Sequence, residues 1–370
     1  MSIHILEENR RTAVKAAIAR ASEQAQRQMT ALDVEVVAAL LDIYRRAARD
    51  ISDDIAAAAV GATVRLEALQ GLLGEVNTRL SLLEAARNGL LNQNLDTAAR
   101  LGSGAFASVG VDVSRLANDA VDSLSRFVAA DGLQLSDRIW RVDRGAREEI
   151  TRAIESAVIQ GHSASRAIED FLGRGERVPA ELAAKVAAAA PPGIARATGA
   201  ALLRDEDGAY WKAERVFRTE INRAHGLAYS AGAQQTPGAI GLKFLLSPLH
   251  PKQDQCDMHA SVNRYGLGPG VYPFGKSPWP AHPNTLSYQV VVFDDEVTQD
   301  DRDSQQDRLE WLKQQPVNAQ VAALGSRAKR AALQAGILKE NEIHTPWKVL
   351  RTRYARRGVD VDALAGSTGA

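Results

Sequence analysis

Apolar residues recur at helical spacing through most of the chain. No proline interrupts residues 5–98, where apolar steps of three and four predict two or three long helices, with breaks near residues 32–33 and 50–53. Within this arm Leu66, Leu69, Leu73, Val76, Leu80 and Leu83 follow the a/d rule that sews one helix onto another, Arg87 takes the next slot and Leu90 the one after. The seam is short, and Gly71 and Gly74 weaken it. It fits either an antiparallel hairpin within the chain or a coiled coil between chains, the latter making the N-terminal helices a self-association element. A glycine-rich joint at residues 101–105 is expected to end the arm.

A second helical body should extend to about residue 235. Ser136 is a candidate cap for a helix whose apolar face runs through Ile139, Trp140, Val142, Ala146 and Ile150, then Ile154, Val158 and Ile159, and stops at Gly161. His162 should begin another, containing Ala167, Ile168, Phe171 and Leu172. Pro191-Pro192-Gly193 marks a turn, and a last long helix is expected over residues 211–234. The texture then changes: eight of the thirteen prolines lie between residues 236 and 295, with short strands predicted at 241–246 and 287–293. From residue 300 helix returns, anchored by Pro346-Trp347, and residues 364–370 read as a frayed tail. The predicted fold class is therefore mainly α: a long helical N-terminal arm (1–100), a helical body (101–235), a small α+β module with short β-strands and long ordered loops (236–299), and a basic helical C-terminal tail (300–370).

Charge and cysteine content narrow the function classes. Lys plus Arg equals Asp plus Glu at 45 each, so no global field draws the whole molecule to nucleic acid or lipid. Basic residues concentrate in the tail, where Arg327, Lys329, Arg330, Arg351, Arg353, Arg356 and Arg357 are candidate contacts for DNA or a partner, or else a solvated helical face. The single cysteine excludes an intramolecular disulfide, and no apolar run of about 18 residues predicts a membrane span. The N-terminus lacks the layout of a signal peptide, which predicts synthesis in a reducing cytoplasm.

Residues 247–288 hold three of the seven histidines and the only cysteine. Cys256, His259 and His282, with His250 or Asp254 as a fourth ligand, have the donor types of a structural zinc site. Hydrogen-bonded histidines without metal are the competing reading. Catalysis is not expected: His282 lies between Pro280 and Pro283, outside the ββα setting of a metal-dependent His-Asn-His nuclease, and no nucleophile elbow accompanies Cys256 and His259.

A helical run with Arg218, Glu220, Arg223 and Ala224, followed by Asp254, Cys256 and Asp257 and then by His282, Pro283 and Asn284, resembles the phage Mu F-like head morphogenesis family of minor head proteins. The resemblance covers roughly residues 130–295. It implies a structural and assembly role, not an enzyme: procapsid assembly at the portal vertex or capsid interior, with portal protein, major capsid or scaffold protein and packaged DNA as partners. The protein would be made in the host bacterial cytoplasm and reside in the virion. Arg218, Glu220, Arg223, Asp254, Asp257, Pro283 and Asn284 would then form a structural clasp, the arginines pinning loop carbonyls with their forked donors. The chain departs from the family pattern where many members carry further cysteines, having His259, Thr285 and Ser287 instead. Two alternatives compete: a metal-dependent nuclease or hydrolase using the His/Cys/Asp loop, and a carrier of a C-terminal effector, against which the short tail without a catalytic set argues.

Overall fold

The computed structural model describes residues 3–60, 63–128, 132–248, 250, 252–283 and 285–366. It is mainly helical, with a long N-terminal helix and a small three-stranded antiparallel sheet toward the C-terminus, as the hydrophobic pattern predicts. Contacts divide the chain into two units, neither a continuous stretch. One comprises residues 1–27, 99–120 and 222–370; the other comprises 28–98 and 121–221.

Helix α1 (Ile3–Ala57) runs without the breaks expected near residues 32–33 and 50–53. Asp33 caps nothing; its carboxylate accepts from Arg218 Nε at 3.0 Å. Asp54 likewise holds Arg79 at 2.8 and 3.0 Å, while Ile51 and Ile55 are fully buried, so tertiary contacts keep these acidic positions helical. The chain reverses instead through the two-residue strands β1 (Ala59–Val60) and β2 (Thr63–Val64) and enters α2 (Leu69–Gly104). The α2 seam is buried within this one chain at Leu69, Val76, Leu80 and Leu83, whereas Leu66 is exposed in a short 3-10 turn. Arg87, in the next seam slot, is fully buried and donates to Asp143, its Nη2 lying 3.0 Å from Oδ2.

The joint expected at residues 101–105 is helical to Gly104. Gly102 serves a close approach: a Cβ there would collide with the His225 carbonyl. After α3 (Val113–Arg126), α4 (Leu135–Gly173) starts from Gln134, whose backbone N–H donates to Asp137 at 2.9 Å, so Ser136 is not the cap. Ile139, Val142, Ile150, Ile154 and Val158 form its buried face, while Trp140 is exposed. Nor does the helix stop at Gly161, which lacks a side chain where Ala189 of α5 (Ala180–Ala189) packs against it. Pro191 and Pro192 open α6 (Pro191–Leu203), a position where their missing N–H groups cost nothing. Helix α7 (Ala209–Gln234) follows.

The sheet orders as β4-β3-β5, from β3 (Ala239–Leu245), β4 (Val271–Pro273) and β5 (Tyr288–Phe293); Leu242 faces Tyr272 on one side and Val291 on the other. Between β3 and β4 lies the short α8 (Gln255–Ser261). Beyond β5, α9 (Gln299–Asp303), α10 (Arg308–Gln314), α11 (Val317–Leu324), α12 (Arg327–Gln334), α13 (Trp347–Ala355) and α14 (Val361–Gly366) follow. Buried Leu312, Leu324, Leu333, Leu350 and Tyr354 of these helices, with Ile343 from the connection between α12 and α13, share one apolar cluster with Met258 of α8. Leu364 belongs to that cluster too, so the end of the chain is packed at least to that residue; residues 367–370 lie outside the described residues. Asn263 fastens the same region by donating to the Asp301 carbonyl at 2.6 Å.

Candidate functional site

The proline-rich segment is built outward from α8. Asp254 caps this helix, its Oδ1 accepting from the Cys256 amide at 2.6 Å, and Asp257 returns the favour by accepting from the Asp254 amide at 2.8 Å. This reciprocal capping places Cys256 in the first turn, fully buried beside Phe244 and Tyr272. His250 Nε2 lies 3.0 Å from Asp257 Oδ2.

His282 closes the arrangement. Its Nε2 lies 3.0 Å from Asp254 Oδ2 and 3.2 Å from Cys256 Sγ, while Nδ1 lies 2.8 Å from the Pro283 carbonyl. Both ring nitrogens thus face acceptors, the pattern of an imidazolium. The Asp254 hydrogen bond, then that to Cys256, raises the His282 pKa to about 10. Burial alone would raise the Asp254 carboxyl, but hydrogen bonds from His282 and the Cys256 amide bring it down to about 2. A proton on His282 therefore ties together side chains 26 to 28 positions apart.

Helix α7 anchors the far end. Asn222 Nδ2 donates to the Thr285 carbonyl at 3.0 Å and the Ser287 carbonyl at 3.3 Å. Trp279 lies where any side chain on Gly226 would stand, and its Nε1 donates to Ser287 O at 2.9 Å. Gln255 Nε2 holds the Ala281 carbonyl at 2.9 Å, and Thr285 Oγ1 stands 3.6 Å from the Cys256 sulfur. Irregular backbone is satisfied here by side-chain amides and an indole in place of a ladder.

One of the sequence-predicted clasp residues is engaged elsewhere. Arg218 does not pin the loop; its Nη1 pairs with Glu214 at 2.9 Å and its Nε with Asp33. Glu220 is buried on α7, with Arg223 half-buried one turn on. Pro283 contributes its carbonyl to His282, and Asn284 lies outside the described residues. Asn222, a lone amide in the arginine-bearing run, is a loop-pinning donor that the sequence reading did not single out. Gly226, a helix-breaking residue inside a helical pattern, is the one signal by which the Trp279 contact could have been suspected.

The metal-ligand set also changes. Cys256, His282 and Asp254 offer ligand atoms within 4.8 Å of one another, and His250, Asp254 and Asp257 form a second such group. His259 belongs to neither: it is wholly buried, its Nδ1 3.3 Å from the Tyr272 hydroxyl and its ring 5.0 Å from that of His344. Burial first, then the His344 and Arg308 charges, keep its pKa well below the ordinary histidine value. Cys256, His282 and Asp254 suit zinc in donor type, with the ion replacing the shared proton, but they supply three ligands where a closed structural site uses four.

The tail's basic residues are largely engaged within the protein. Lys329 donates to the Ile343 carbonyl, Arg330 to Gln320 at 3.2 Å, and Arg353 and Arg357 lie 3.4 and 3.7 Å from the buried Glu342. Arg327 and Arg351 also have partners. Arg353, Arg356 and Arg357 line one shallow groove with Lys348. No described helix is long and apolar enough to cross a membrane. Compared with protein-family models, with curated proteins and with solved structures, the chain finds no match.

Proposed function

We propose that the protein is a minor head protein of a tailed bacteriophage, working by binding and not by turnover in procapsid assembly at the portal vertex or capsid interior. One observation carries this reading: Asp254-x-Cys256-Asp257 and His282-Pro283, two of the three elements on which the family resemblance rests, meet in one hydrogen-bonded clasp, and Asn222 fastens that clasp to the helix bearing the third. The clasp's chemistry favours architecture. Cys256 is sealed from solvent and both ring nitrogens of His282 are committed, so neither of these two is placed to act as nucleophile or base. Portal, major capsid or scaffold proteins are the partners this role requires, with packaged DNA as a further contact through the groove of Lys348, Arg356 and their neighbours.

Mass spectrometry of purified virions and proheads tests the assignment. The protein should be present in proheads, virions or both, at few copies per particle. Its absence from both would contradict the proposal, as would chelator-sensitive cleavage of DNA or peptide by the purified protein, abolished in His282→Ala.

A further inference from the structure

Beside the clasp, a cleft of about 480 Å³ is walled by the 322–326 turn, Lys329, residues 343–347, and Asp254, Gln255 and His282. Its volume is that of a small-molecule site. The chemistry of its wall is cationic at one point in particular. Lys329 is 3% exposed, yet its ammonium meets only the Ile343 carbonyl, and among the described residues no carboxylate stands within ion-pair reach. One carbonyl leaves two of the three ammonium protons unused. Burial pushes the group down to about 8, so it is still charged at neutral pH. A buried charge without a partner is costly, and a bound anion removes that cost.

Two further features of the wall have the same sign. Ser326, which starts α12, and Pro346, which starts α13, both line the cleft, and Pro346 has no side chain to cap the first N–H groups. Each such helix start contributes about half a positive charge, while the C-terminal end of α11 at Leu324 and Gly325 contributes about half a negative one. Asp254 and His282 neutralise each other. The remaining excess lies between about one and two positive charges, which suits a dianion better than a single carboxylate. Trp347 adds an aromatic surface for an organic body.

We propose that this cleft binds a phosphate monoester, its phosphate on Lys329 and the two helix starts and its organic group against Trp347. The site stands apart from the assembly reading. Titration calorimetry on the full chain, with phenyl phosphate, inorganic phosphate and phenylacetate, tests it. A 5′-phosphorylated dinucleotide set against its unphosphorylated form distinguishes a nucleic-acid end from a small ester as the source. Phenyl phosphate or the phosphorylated dinucleotide should bind, with phenylacetate at least tenfold weaker. Lys329→Met, a variant that removes an unpaired buried charge and should fold, should bind at least tenfold more weakly, whereas Lys185→Met, on the exposed face of α5 and outside the cleft, should be unchanged. Binding by none of the phosphates would overturn the proposal, and so would equal binding by the Lys329→Met variant or equal affinity for phenylacetate.

Discussion

The helical region around Arg87 and the clasp around His282 solve the same problem, a polar group taken out of water, in opposite ways. At Arg87 a permanent cation sits in a leucine seam against the Asp143 carboxylate, surrounded by regular helices whose own backbone bonds are already made. At His282 a removable proton joins Asp254 and Cys256, and the surrounding backbone depends on side chains to satisfy it. The first arrangement should therefore be most sensitive to mutation, whereas the second should respond both to mutation and to pH.

The largest effect is expected at the ion pair. Asp143→Ala strands a buried guanidinium and should cost about 3–5 kcal/mol, seen as a lower urea midpoint by circular dichroism. Arg87→Met combined with Asp143→Leu should recover most of that loss, because no uncompensated charge remains. A double variant as unstable as the single one would show that the pair contributes more than mutual compensation.

Next comes the contact between α7 and the clasp. Gly226→Ala forces Trp279 from its seat and should cost about 1–3 kcal/mol, with a red shift of tryptophan emission. Unchanged emission and stability would mean that the indole does not rest there. Asn222→Ala takes the Asn222 donor from the Thr285 carbonyl, leaves the Ser287 carbonyl to Trp279, and should cost about 1–2 kcal/mol.

A subtler effect is read in pH. The folded pKa of His282 stands above its ordinary value of 6.5, so its contribution to clasp stability is full below about 6.5 and is lost as pH rises through about 10. Asp254 is shifted the other way, so its share is present above about 3.8 and is lost as pH falls through about 2. The two describe one interaction and do not add. Amide exchange of residues 252–283 should be slowest between about pH 4 and 6.5 after correction for intrinsic rates, and the alkaline rise should vanish in His282→Gln. The smallest effect is expected at Leu66, exposed and outside the buried seam, where Leu→Ala should stay within about 0.5 kcal/mol.

What could be seen in the sequence follows the same division. Periodic burial reports itself, so the helical class, the α2 seam and strands β3 and β5 were legible within a few residues. Boundaries set by distant partners were not. Asp33 looks like a break until Arg218 is seen holding it, and the acidic run at residues 50–53 looks like another until its neighbours Ile51 and Ile55 are seen buried. Gly102 and Gly161 look like breaks until their close neighbours are known. In the clasp, the clustering of His, Cys and Asp was visible, but the spacing of Cys256 and His259 suggested a shared ligand role, whereas the two meet different partners. The capped first turn of α8 directs Cys256 toward His282, while His259 meets Tyr272. β4, three residues ending in proline, has too little pattern to be read at all.

The lone thiol offers the most direct test of the clasp itself. Alkylation of native protein should modify Cys256 at least a hundredfold more slowly than in the urea-unfolded chain, and Asn222→Ala should raise the native rate roughly tenfold, the factor that corresponds to about 1.4 kcal/mol of easier opening. A native thiol that reacts as fast as the unfolded one would contradict the clasp and the architectural role drawn from it.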